Sequence, residues 1–473
     1  MSVRLFDSLS RSIRELKPLD GETFRFYCCG PTVYGPAHVG NFRTFVLQDT
    51  LRRVLEASGM ATRHVRNITD VDDKTIRQSR AEGRTLADFT AEWTRRFHAD
   101  AAALQLLPPH VEPSAVEHVP HQIRMIVRLI DKGHAYCAED GSVYFRVTSF
   151  PGYGRLTRLD ERELRTGPGQ AAQAADEYGK DALADFALWK ARRQEDGENF
   201  WESPWGEGRP GWHLECSAMS IEYLGESFDL HSGGIDLMFP HHENEIAQSE
   251  CCTGRTFAAH WHHVAHLMVD GGKMSKSLGN LYTLDDLSER GFSPLDLRYI
   301  YLSGHYRKPL NFTFEALAAA QKAVAGLVRA ERKLAERAGL APQAMEDERG
   351  RCEDWASFEP AWEALCDDLN TPEALGRAFT ALRELPAETS SATEARREWR
   401  ALRTLLAIMG LGALGYEKKL KEAPAEIRDL ADRRWAARQA RDWVSADAMR
   451  EELAQQGWTM KDGRESYELM ERR

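Results

Sequence analysis

The chain has 473 residues, of which 42% are hydrophobic and 29% charged, and its net charge is −11. This length allows two to four domains, and the composition is ordinary for a globular enzyme. The acidic balance argues against a protein that binds nucleic acid over its whole surface, so any RNA contact needs a local basic face. No apolar stretch reaches the roughly 20 residues of a membrane helix, and the N-terminus lacks the apolar region of a secretory signal. We therefore expect a cytoplasmic protein with no membrane partner.

The first hundred residues alternate between strand and helix. Residues Thr23–Cys29 predict a short buried strand, which leads into the turn-rich segment 30–36. A helix with leucines and valines at helical spacing follows and ends at Gly59, and His64–Thr69 predicts a second strand. Strand, helix and strand within about fifty residues form a βαβ unit, which predicts a parallel sheet of the Rossmann type.

The rest of the chain changes character twice. Residues 136–205 predict an insertion with a strand at Ser142–Val147, and alternating strand and helix character returns at 212–270. From about residue 313 the chain is helical, with a break near Gly410–Gly415. This order predicts an α/β fold: a Rossmann-type catalytic domain with an insertion, then a helical bundle and a small C-terminal domain.

One candidate for nucleotide binding is the segment His38-Val39-Gly40-Asn41. It lies where the first strand leads into the helix, and the unpaired N–H groups of a helix N-terminus attract phosphate. His38 can donate to phosphate oxygens, and Gly40 allows a nucleotide to approach the backbone closely. A match of four residues also fits a simple helix cap, so this segment alone is weak evidence.

A second candidate is much more specific. Residues 273–277 read Lys-Met-Ser-Lys-Ser and follow two glycines. Lys273 and Lys276, with Ser275 between them, suit a loop that clamps a triphosphate, because their charges offset the negative charge that develops as pyrophosphate leaves. Together the two segments resemble the class I aminoacyl-tRNA synthetases, in which an HIGH-like element and a KMSKS loop flank ATP. Asn41 replaces the last histidine of the HIGH element, and we expect it to alter the strength of phosphate binding without abolishing activity.

Four further residues carry side chains that bind zinc. Cys29 ends the first predicted strand, Cys216 lies in the segment 211–219, and His241 and Glu245 are four residues apart, just after a proline. Because proline suits the first turn of a helix, we expect the last two on one helix face. Thiolate, imidazole and carboxylate are the usual zinc ligands, and the eight cysteines of a chain expected in the cytoplasm are free thiols or metal ligands rather than disulfides.

Two other kinds of zinc site compete with a substrate-binding one. A metalloprotease helix would need a histidine at position 246, where Ile246 stands, so that class is excluded. A purely structural zinc, closed by four protein ligands, is as compatible with the spacing as a zinc that binds substrate.

Longer segments resemble the cysteinyl-tRNA synthetases. They read YCCGPTVYG, HVRNITDVDDK, DFALWK, GRPGWHLECSAM and FPHHENEIAQSE, and the C-terminal helices fit the same family. The resemblance therefore covers nearly the whole chain. It implies that Cys29, Cys216, His241 and Glu245 hold one Zn²⁺ per chain, and that this zinc binds the sulfur of the substrate.

The same resemblance explains how cysteine would be selected. A thiol loses its proton to bind zinc, whereas the hydroxyl of serine is a poorer and harder ligand. Roughly 4 kcal/mol of differential binding gives about a thousandfold discrimination, so no editing domain is needed. The resemblance also implies that Thr69, Trp212, His231 and Asp236 surround the amino acid, with Asp236 suited to its ammonium group.

The C-terminus is implied to contact RNA. A predicted helix, Ala431–Gln455, carries several arginines and then Trp443, and arginine beside an exposed aromatic ring suits single-stranded RNA. An arginine-rich helix face is also common as a plain solvated surface. By resemblance this region is the anticodon-binding piece, with Arg438, Trp443 and Asp462 as its candidate tRNA contacts.

These motifs divide the chain into expected domains. They are the first half of the Rossmann catalytic domain at 1–135, a connective insertion at 136–205, the second half of the catalytic domain at 206–268, the KMSKS loop and stem-contact region at 269–312, a helical bundle at 313–415 and an anticodon-binding domain at 416–473.

The expected reaction has two steps. A monomer would use ATP with Mg²⁺ to convert L-cysteine into cysteinyl-adenylate and pyrophosphate, and would then transfer cysteine to the 3′ end of tRNA(Cys). One rival is a zinc-dependent ligase that joins cysteine to an amino sugar in mycothiol synthesis, but that ligase lacks a full C-terminal tRNA-binding region. Another is a non-catalytic RNA-binding relative, in which the KMSKS segment and the zinc ligands would be expected to decay first.

Overall fold

The computed structural model describes residues 2–159, 185–274, 279–340, 352–385, 391–412, 424–440, 442–462 and 467–471. The chain divides into two compact units, Met1–Gly415 and Tyr416–Arg473. Within the described ranges, no helix is both long enough and apolar enough to cross a bilayer.

The elements are numbered in chain order. The strands are β1 (Arg4–Asp7), β2 (Ser12–Glu15), β3 (Thr23–Cys28), β4 (Ala61–Arg66), β5 (Ala135–Cys137), β6 (Val143–Phe145), β7 (Phe186–Ala191), β8 (Gly208–Pro210), β9 (Leu230–Gly234), β10 (Trp261–Val264), β11 (Leu267–Val269), β12 (Gly272–Lys273), β13 (Leu310–Phe312), β14 (Trp458–Asp462) and β15 (Tyr467–Glu471). The helices are α1 (Val39–Ala57), α2 (Asp73–Ala81), α3 (Leu86–Ala103), α4 (Val119–Asp131), α5 (Trp212–Leu224), α6 (His241–Thr253), α7 (Leu284–Glu289), α8 (Pro294–Leu302), α9 (Phe314–Arg337), α10 (Glu359–Cys366), α11 (Thr371–Glu384), α12 (Ala392–Met409), α13 (Ala425–Gln439) and α14 (Trp443–Gln455).

The centre of the first unit is a parallel sheet with the strand order β10-β9-β3-β4. Cys28 at the end of β3 pairs with Arg66 of β4 on one side and with Ser232 of β9 on the other. Because the strands are parallel, their carboxyl ends share one edge, and ligands bind at this edge in folds of this type. The predicted Rossmann-type parallel sheet is confirmed.

Helix α1 connects β3 to β4 as the predicted βαβ unit requires, and most of its apolar side chains are buried. The predicted strand His64–Thr69 is wrong at both ends, because β4 runs from Ala61 to Arg66. The chain leaves the sheet at Asn67. Beyond it, the backbone N–H of Ile68 donates to Pro113 O and that of Thr69 to Pro31 O, both in loops.

The insertion forms an antiparallel sheet in the order β5-β6-β7-β8. In the DFALWK segment, Leu188 and Trp189 are fully buried in the core of this sheet. Lys190 turns outward, and its Nζ lies 2.7 Å from Asp73 Oδ2 at the start of α2. Arg209 of β8 binds the other oxygen of Asp73. Two of the segments that carry the family resemblance, HVRNITDVDDK and DFALWK, are therefore joined by an ion pair that attaches the insertion to the catalytic sheet.

A buried arginine links the helical region to α1. Arg298 of α8 is fully buried. Its guanidinium donates to Met409 O and to Leu104 O, both at 2.7 Å, and to Asp49 Oδ2 of α1 at 2.5 Å. The C-terminus of α12 is therefore held against α1 through one side chain with partners in three segments.

The second unit packs two helices on a hairpin. The strands β14 and β15 pair antiparallel from Trp458 opposite Glu471, and the core contains Leu430, Leu453 and Met460. The prediction of one uninterrupted helix over Ala431–Gln455 is wrong. The helix is interrupted, because Asp442 acts as the N-cap of α14 and accepts a hydrogen bond from the N–H of Ser445 at 3.2 Å.

A substitution at Gly410 tests how tightly the chain packs around Arg298. It ends α12 with φ at +64°, and a Cβ there would lie 2.2 Å from Arg298 Cζ. We expect Gly410→Ala to lower the free energy of unfolding by about 2–4 kcal/mol, because both the backbone and the arginine would be strained. The change would be measured as a shift of the urea denaturation midpoint. Gly376→Ala, within α11, is the matched control, because its Cβ meets nothing within 4 Å and the helix gains stability of up to about 1 kcal/mol. Equal midpoints for the two variants would contradict this account.

Candidate active site

Four potential metal ligands meet at the carboxyl edge of the sheet. Cys29 directly follows β3, and its backbone N–H donates to Ser232 O of β9 at 3.2 Å. Cys216 lies in the second turn of α5, and His241 and Glu245 lie four residues apart at the start of α6. All four are buried, with exposures of 6% or less. The structure thus brings together residues that are 216 positions apart in the chain.

The donor atoms of Cys29, Cys216, His241 and Glu245 all lie within 4.8 Å of one another. His241 Nε2 is 3.0 Å and Cys29 Sγ is 3.9 Å from Glu245 Oε1. Zinc bonds of about 2.0–2.3 Å place tetrahedral ligands at separations of this order. The donor set and its size therefore fit one zinc ion.

Electrostatics at the cluster favour a cation. The hydrogen bond from Cys29 lowers the pKa of the Cys216 thiol to about 6 against the effect of burial. Burial would raise the pKa of Glu245, but His231 and His241 lower it to about 2. Burial would lower the pKa of His241, yet Glu245 and Cys216 raise it to about 10. Cys216 and Glu245 thus carry two negative charges in a buried site, and the His241 imidazolium offsets only one of them.

Neighbouring rings hold His241 in place. Its Nδ1 is 2.9 Å from Nδ1 of His213, so its Nε2 faces Glu245 and the cluster. Trp212 stacks on the imidazole with ring centroids 4.3 Å apart. Sequence reasoning assigned Trp212 to the amino-acid pocket, and the contact observed is with the ligand His241. Residues next to a metal-binding histidine commonly orient it in this way.

A second set of donors overlaps the first. Cys29, His231, His242 and Glu245 also lie within 4.8 Å of one another, with His242 Nε2 at 3.3 Å from Cys29 Sγ. His231 Nε2 is 2.9 Å from the other oxygen of Glu245. Sequence reasoning missed His242, although it is adjacent to a predicted ligand. It also missed His263, whose Nε2 lies 2.8 Å from His242 Nδ1, because only the sheet brings β10 to this helix.

The two other residues predicted near the amino acid follow the ends of strands β4 and β9. Thr69 is buried just beyond β4 and is hydrogen-bonded to Asn67 and Glu215. Asp236 is exposed at the end of β9 and folds back so closely that a Cβ on Gly234 would lie 2.3 Å from its Oδ1. Neither Asn67 nor Glu215 was singled out from sequence.

The start of α1 is closed by a reciprocal cap. His38 Nδ1 accepts from the N–H of Gly40 at 3.1 Å, and Asn41 Oδ1 accepts from the N–H of His38 at 3.1 Å. The amide oxygen of Asn41 is therefore used inside the cap, so its NH₂ group is the part available to donate to a phosphate. Asn41 therefore helps to cap the N-terminus of α1, a role that could not be inferred from its departure from the HIGH pattern.

The two predicted nucleotide segments meet in space. A Cβ on Gly40 would lie 2.9 Å from Met274 Sδ, and the N–H of Val39 donates to Tyr282 O at 2.8 Å. The loop that carries the KMSKS motif therefore begins and ends at the first turn of α1. Lys273 lies in β12, while Ser275 and Lys276 are outside the described residues.

The candidate tRNA contacts belong to the second unit. Trp443 is 56% exposed at the start of α14, as a base-stacking residue requires. Arg438 lies over the ring of Trp435, 5.8 Å from its centroid. Asp462 is the last residue of β14, and its side chain is outside the described part of the chain.

Comparison with known proteins agrees with this geometry. A family model described as the tRNA synthetases class I (C) catalytic domain matches residues 15–322, and a DALR domain matches residues 362–414. A curated cysteine–tRNA ligase from Opitutus terrae is 54% identical and covers 99% of both chains. Another from Solibacter usitatus is 44% identical and covers 98% of both. This chain belongs to the cysteine–tRNA ligase family.

Solved structures show the same fold in more distant proteins. Methionyl-tRNA synthetase of Mycobacterium tuberculosis, in complex with methionyl-adenylate, has a TM-score of 0.56 at 14% identity and covers 86% of this chain and 94% of its own. The Agrobacterium radiobacter LeuRS in a ternary complex has a TM-score of 0.58 at 12% identity, with coverages of 84% and 86%. The class I synthetase fold expected for a cysteine–tRNA ligase is therefore confirmed.

Proposed function

We propose that this chain activates L-cysteine with ATP and transfers it to the 3′ end of tRNA(Cys). The observation that carries the proposal is the buried cluster of Cys29, Cys216, His241 and Glu245. It lies at the same sheet edge as the N-terminus of α1, so a thiol-selecting site and a phosphate-binding site adjoin. The curated relatives support the assignment, because they are cysteine–tRNA ligases over nearly their whole length.

Zn²⁺ is the metal that the cluster suits. Cys29, Cys216, His241 and Glu245 would hold it, because two sulfur donors favour zinc over the harder Mg²⁺ or Ca²⁺. When bound, the zinc would take the thiolate of the substrate as a further ligand and so distinguish cysteine from serine. Trp212 and His213 keep His241 turned toward the cluster, and His231 holds the second oxygen of Glu245.

The adenylation step needs positioning and charge rather than a side-chain nucleophile. The carboxylate of cysteine attacks the α-phosphorus of ATP, the bond to the β-phosphate oxygen breaks, and pyrophosphate leaves with Mg²⁺. His38, Asn41 and the backbone of Gly40 would face the phosphates. Lys273 and Lys276 would offset the charge of the leaving group, and Ser275 would donate a hydrogen bond to it. In the second step the terminal ribose hydroxyl of the tRNA attacks the cysteinyl carbonyl carbon, and AMP leaves.

The remaining assignments follow from this reaction. Thr69 and Asp236 would face the ammonium group of the amino acid, and the second unit, with Arg438, Trp443 and Asp462, would bind the anticodon. Since a single chain supplies all four metal ligands, we infer a monomer, and since tRNA and ATP are its substrates, we assign it to the cytoplasm. The DALR match at residues 362–414 favours the synthetase over an amino-sugar ligase that lacks a full tRNA-binding region.

The decisive assay is ATP–pyrophosphate exchange with purified protein, followed by charging of total tRNA. Exchange should depend on cysteine, should be about a thousandfold weaker with serine, as roughly 4 kcal/mol of discrimination requires, and should be lost with a chelator and restored by zinc. Charging should be confined to the cysteine-accepting tRNA. Equal exchange with serine, or full activity after metal removal, would refute the proposal.

Substitution of two adjacent histidines would show which of the two donor sets holds the metal. His241→Ala should lower bound zinc from about one per chain to well below one, because a ligand is lost. His242→Ala should retain zinc, since that side chain lies outside the proposed set although it contacts Cys29. Metal content would be measured by mass spectrometry after gel filtration, with folding checked by circular dichroism. The reverse pattern would move the zinc to the set with His231 and His242.

A substitution at Gly40 tests the contact between the two predicted nucleotide-binding segments. Gly40→Ala should lower kcat/KM for ATP by about 10- to 100-fold, because the new methyl group would crowd both Met274 Sδ at 2.9 Å and the His38 ring at 3.0 Å. Gly35→Ala, in the loop that leads into α1, is the control, since a Cβ there meets nothing within 4 Å. Both are measured by pyrophosphate exchange. Equal values for the two variants would argue against contact between the segments during catalysis.

A further inference from the structure

A buried arginine lies close to the first turn of α1. Arg43 is two residues beyond Asn41 in the same helix, and it is 1% exposed. The reaction proposed above assigns no role to this side chain. A charged group buried beside a phosphate-binding turn needs partners, and these partners indicate what it does.

The guanidinium of Arg43 donates to four backbone carbonyl groups. Its Nη1 donates to Ala265 O at 2.6 Å and also to His266 O. Its Nη2 donates to Lys308 O at 2.7 Å and to His305 O at 3.3 Å. The first two carbonyls lie between β10 and β11, and the other two lie between α8 and β13. One side chain therefore joins α1 to two separate segments.

This set of partners suits arginine and no other residue type. Burial lowers the pKa of Arg43 to about 10, and no carboxylate among the described residues acts against this effect. The side chain is therefore charged at neutral pH and is stabilised by the carbonyl groups. A guanidinium presents its donors as a planar fork, so it can bind on two sides at once, whereas the ammonium of lysine is a single point. Lysine at this position would keep the charge but could not hold both segments.

The two segments that Arg43 binds are also joined to each other. The N–H of Ala265 donates to Tyr306 O at 2.8 Å, and the N–H of Leu310 donates to His266 O at 3.1 Å. They form the base of the three-stranded sheet with the order β12-β11-β13. Arg43 therefore attaches this sheet, at its base, to α1.

This sheet leads into the KMSKS loop. Strand β11 starts one residue after His266, and its Met268 pairs with Lys273 of β12. Since Lys273 is the first residue of the KMSKS motif, the sheet determines where the loop begins. The contact of Val39 with Tyr282 holds the other end of the loop.

The relative position of these elements matters for the adenylation step. The first turn of α1 and the KMSKS loop are proposed to act on the same triphosphate, so neither is effective unless the other is in place. A misplacement of about 1 Å in such an arrangement can lower the rate about 100-fold.

We propose that Arg43 is a positioning residue, which fixes the start of the KMSKS loop relative to the first turn of α1 so that both act on the departing pyrophosphate. This inference rests on the proposed function, since it concerns the formation of cysteinyl-adenylate. It implies that Arg43 is needed while the triphosphate is present and not after pyrophosphate has left.

Two buried arginines that bind α1 can be compared. Arg43→Lys keeps the charge and removes the fork. Arg298→Lys is the matched control, because Arg298 is also fully buried and also holds α1, but through Asp49 and far from the first turn. Each full-length variant would be loaded with zinc, checked by circular dichroism and unfolded in urea.

Arg43→Lys should lower kcat of cysteine-dependent pyrophosphate exchange by about 10- to 100-fold, because the loop no longer meets the phosphates in the transition state. KM for cysteine and zinc content should stay within about twofold, since the lost interaction concerns only the triphosphate. Arg298→Lys should lower the urea midpoint and leave kcat within about twofold, as expected for a change that affects folding alone.

A single-turnover assay separates positioning from general damage. Cysteinyl-adenylate would be formed on the enzyme, pyrophosphate removed, and tRNA added. Transfer of cysteine by Arg43→Lys should stay within about threefold of the wild type, because no charge of a leaving pyrophosphate remains to be offset.

A double variant tests whether Arg43 acts through the loop. Lys273→Ala removes one charge of the KMSKS motif. The loss of kcat in the double variant with Arg43→Lys should be smaller than the product of the two single losses, because both changes impair the same interaction with pyrophosphate.

Several results would overturn the inference. Unchanged exchange in Arg43→Lys, equal slowing of exchange and transfer, losses that multiply in the double variant, or the same loss of kcat in Arg298→Lys would each do so. If Arg43→Lys does not fold, hydrogen exchange of the wild type decides: the amides of Ala265 and Leu310 should exchange as slowly as those of β9, and rapid exchange would show that the segments are not held. A wild type without cysteine-dependent exchange would instead refute the proposed function.

Discussion

Two thiols, an imidazole and a carboxylate buried together at the edge of a sheet favour the binding of a cation. Isolated charges in a protein interior are strongly unfavourable, and His241 offsets only part of the negative charge of Cys216 and Glu245. The arrangement is understandable as a metal site, in which the ion supplies the charge and the protein supplies the geometry. Much of the surrounding polar structure, from Trp212 and His213 to His231, serves to hold the ligands toward that point.

The sequence indicated the four candidate ligands but not the residues that support them. Cys29, Cys216, His241 and Glu245 could be predicted because each has a side chain that binds zinc and lies in a segment that resembles the cysteinyl-tRNA synthetases. His263 and Glu215 could not, because their contacts arise only when β10 approaches α6 and when α5 approaches the end of β4. A histidine or glutamate inside an apolar helix or strand has no local pattern that shows its partner.

The errors in the predicted elements have local physical causes. The end of β4 was misplaced because Ile68 and Thr69 are extended but form hydrogen bonds to loops instead of to β3. The predicted helix Ala431–Gln455 ignored Asp442, whose side chain caps a new helix. In both cases the apolar pattern continues through the boundary, and the hydrogen bonds decide where the element ends.

Helix α1 connects the parts of the first unit that the reaction needs together. Its first turn is capped by His38 and Asn41 and touches both ends of the KMSKS loop. Further along, Asp49 receives Arg298, which holds the end of the DALR-matching region at Met409. The insertion is attached separately, through Asp73, to the strand-end segment that also carries Thr69. The segment that carries Thr69 and helix α1 are thus supported by different elements. An amino acid and a nucleotide bound there would meet at the carboxyl ends of β3 and β4, where Cys29 and Thr69 lie.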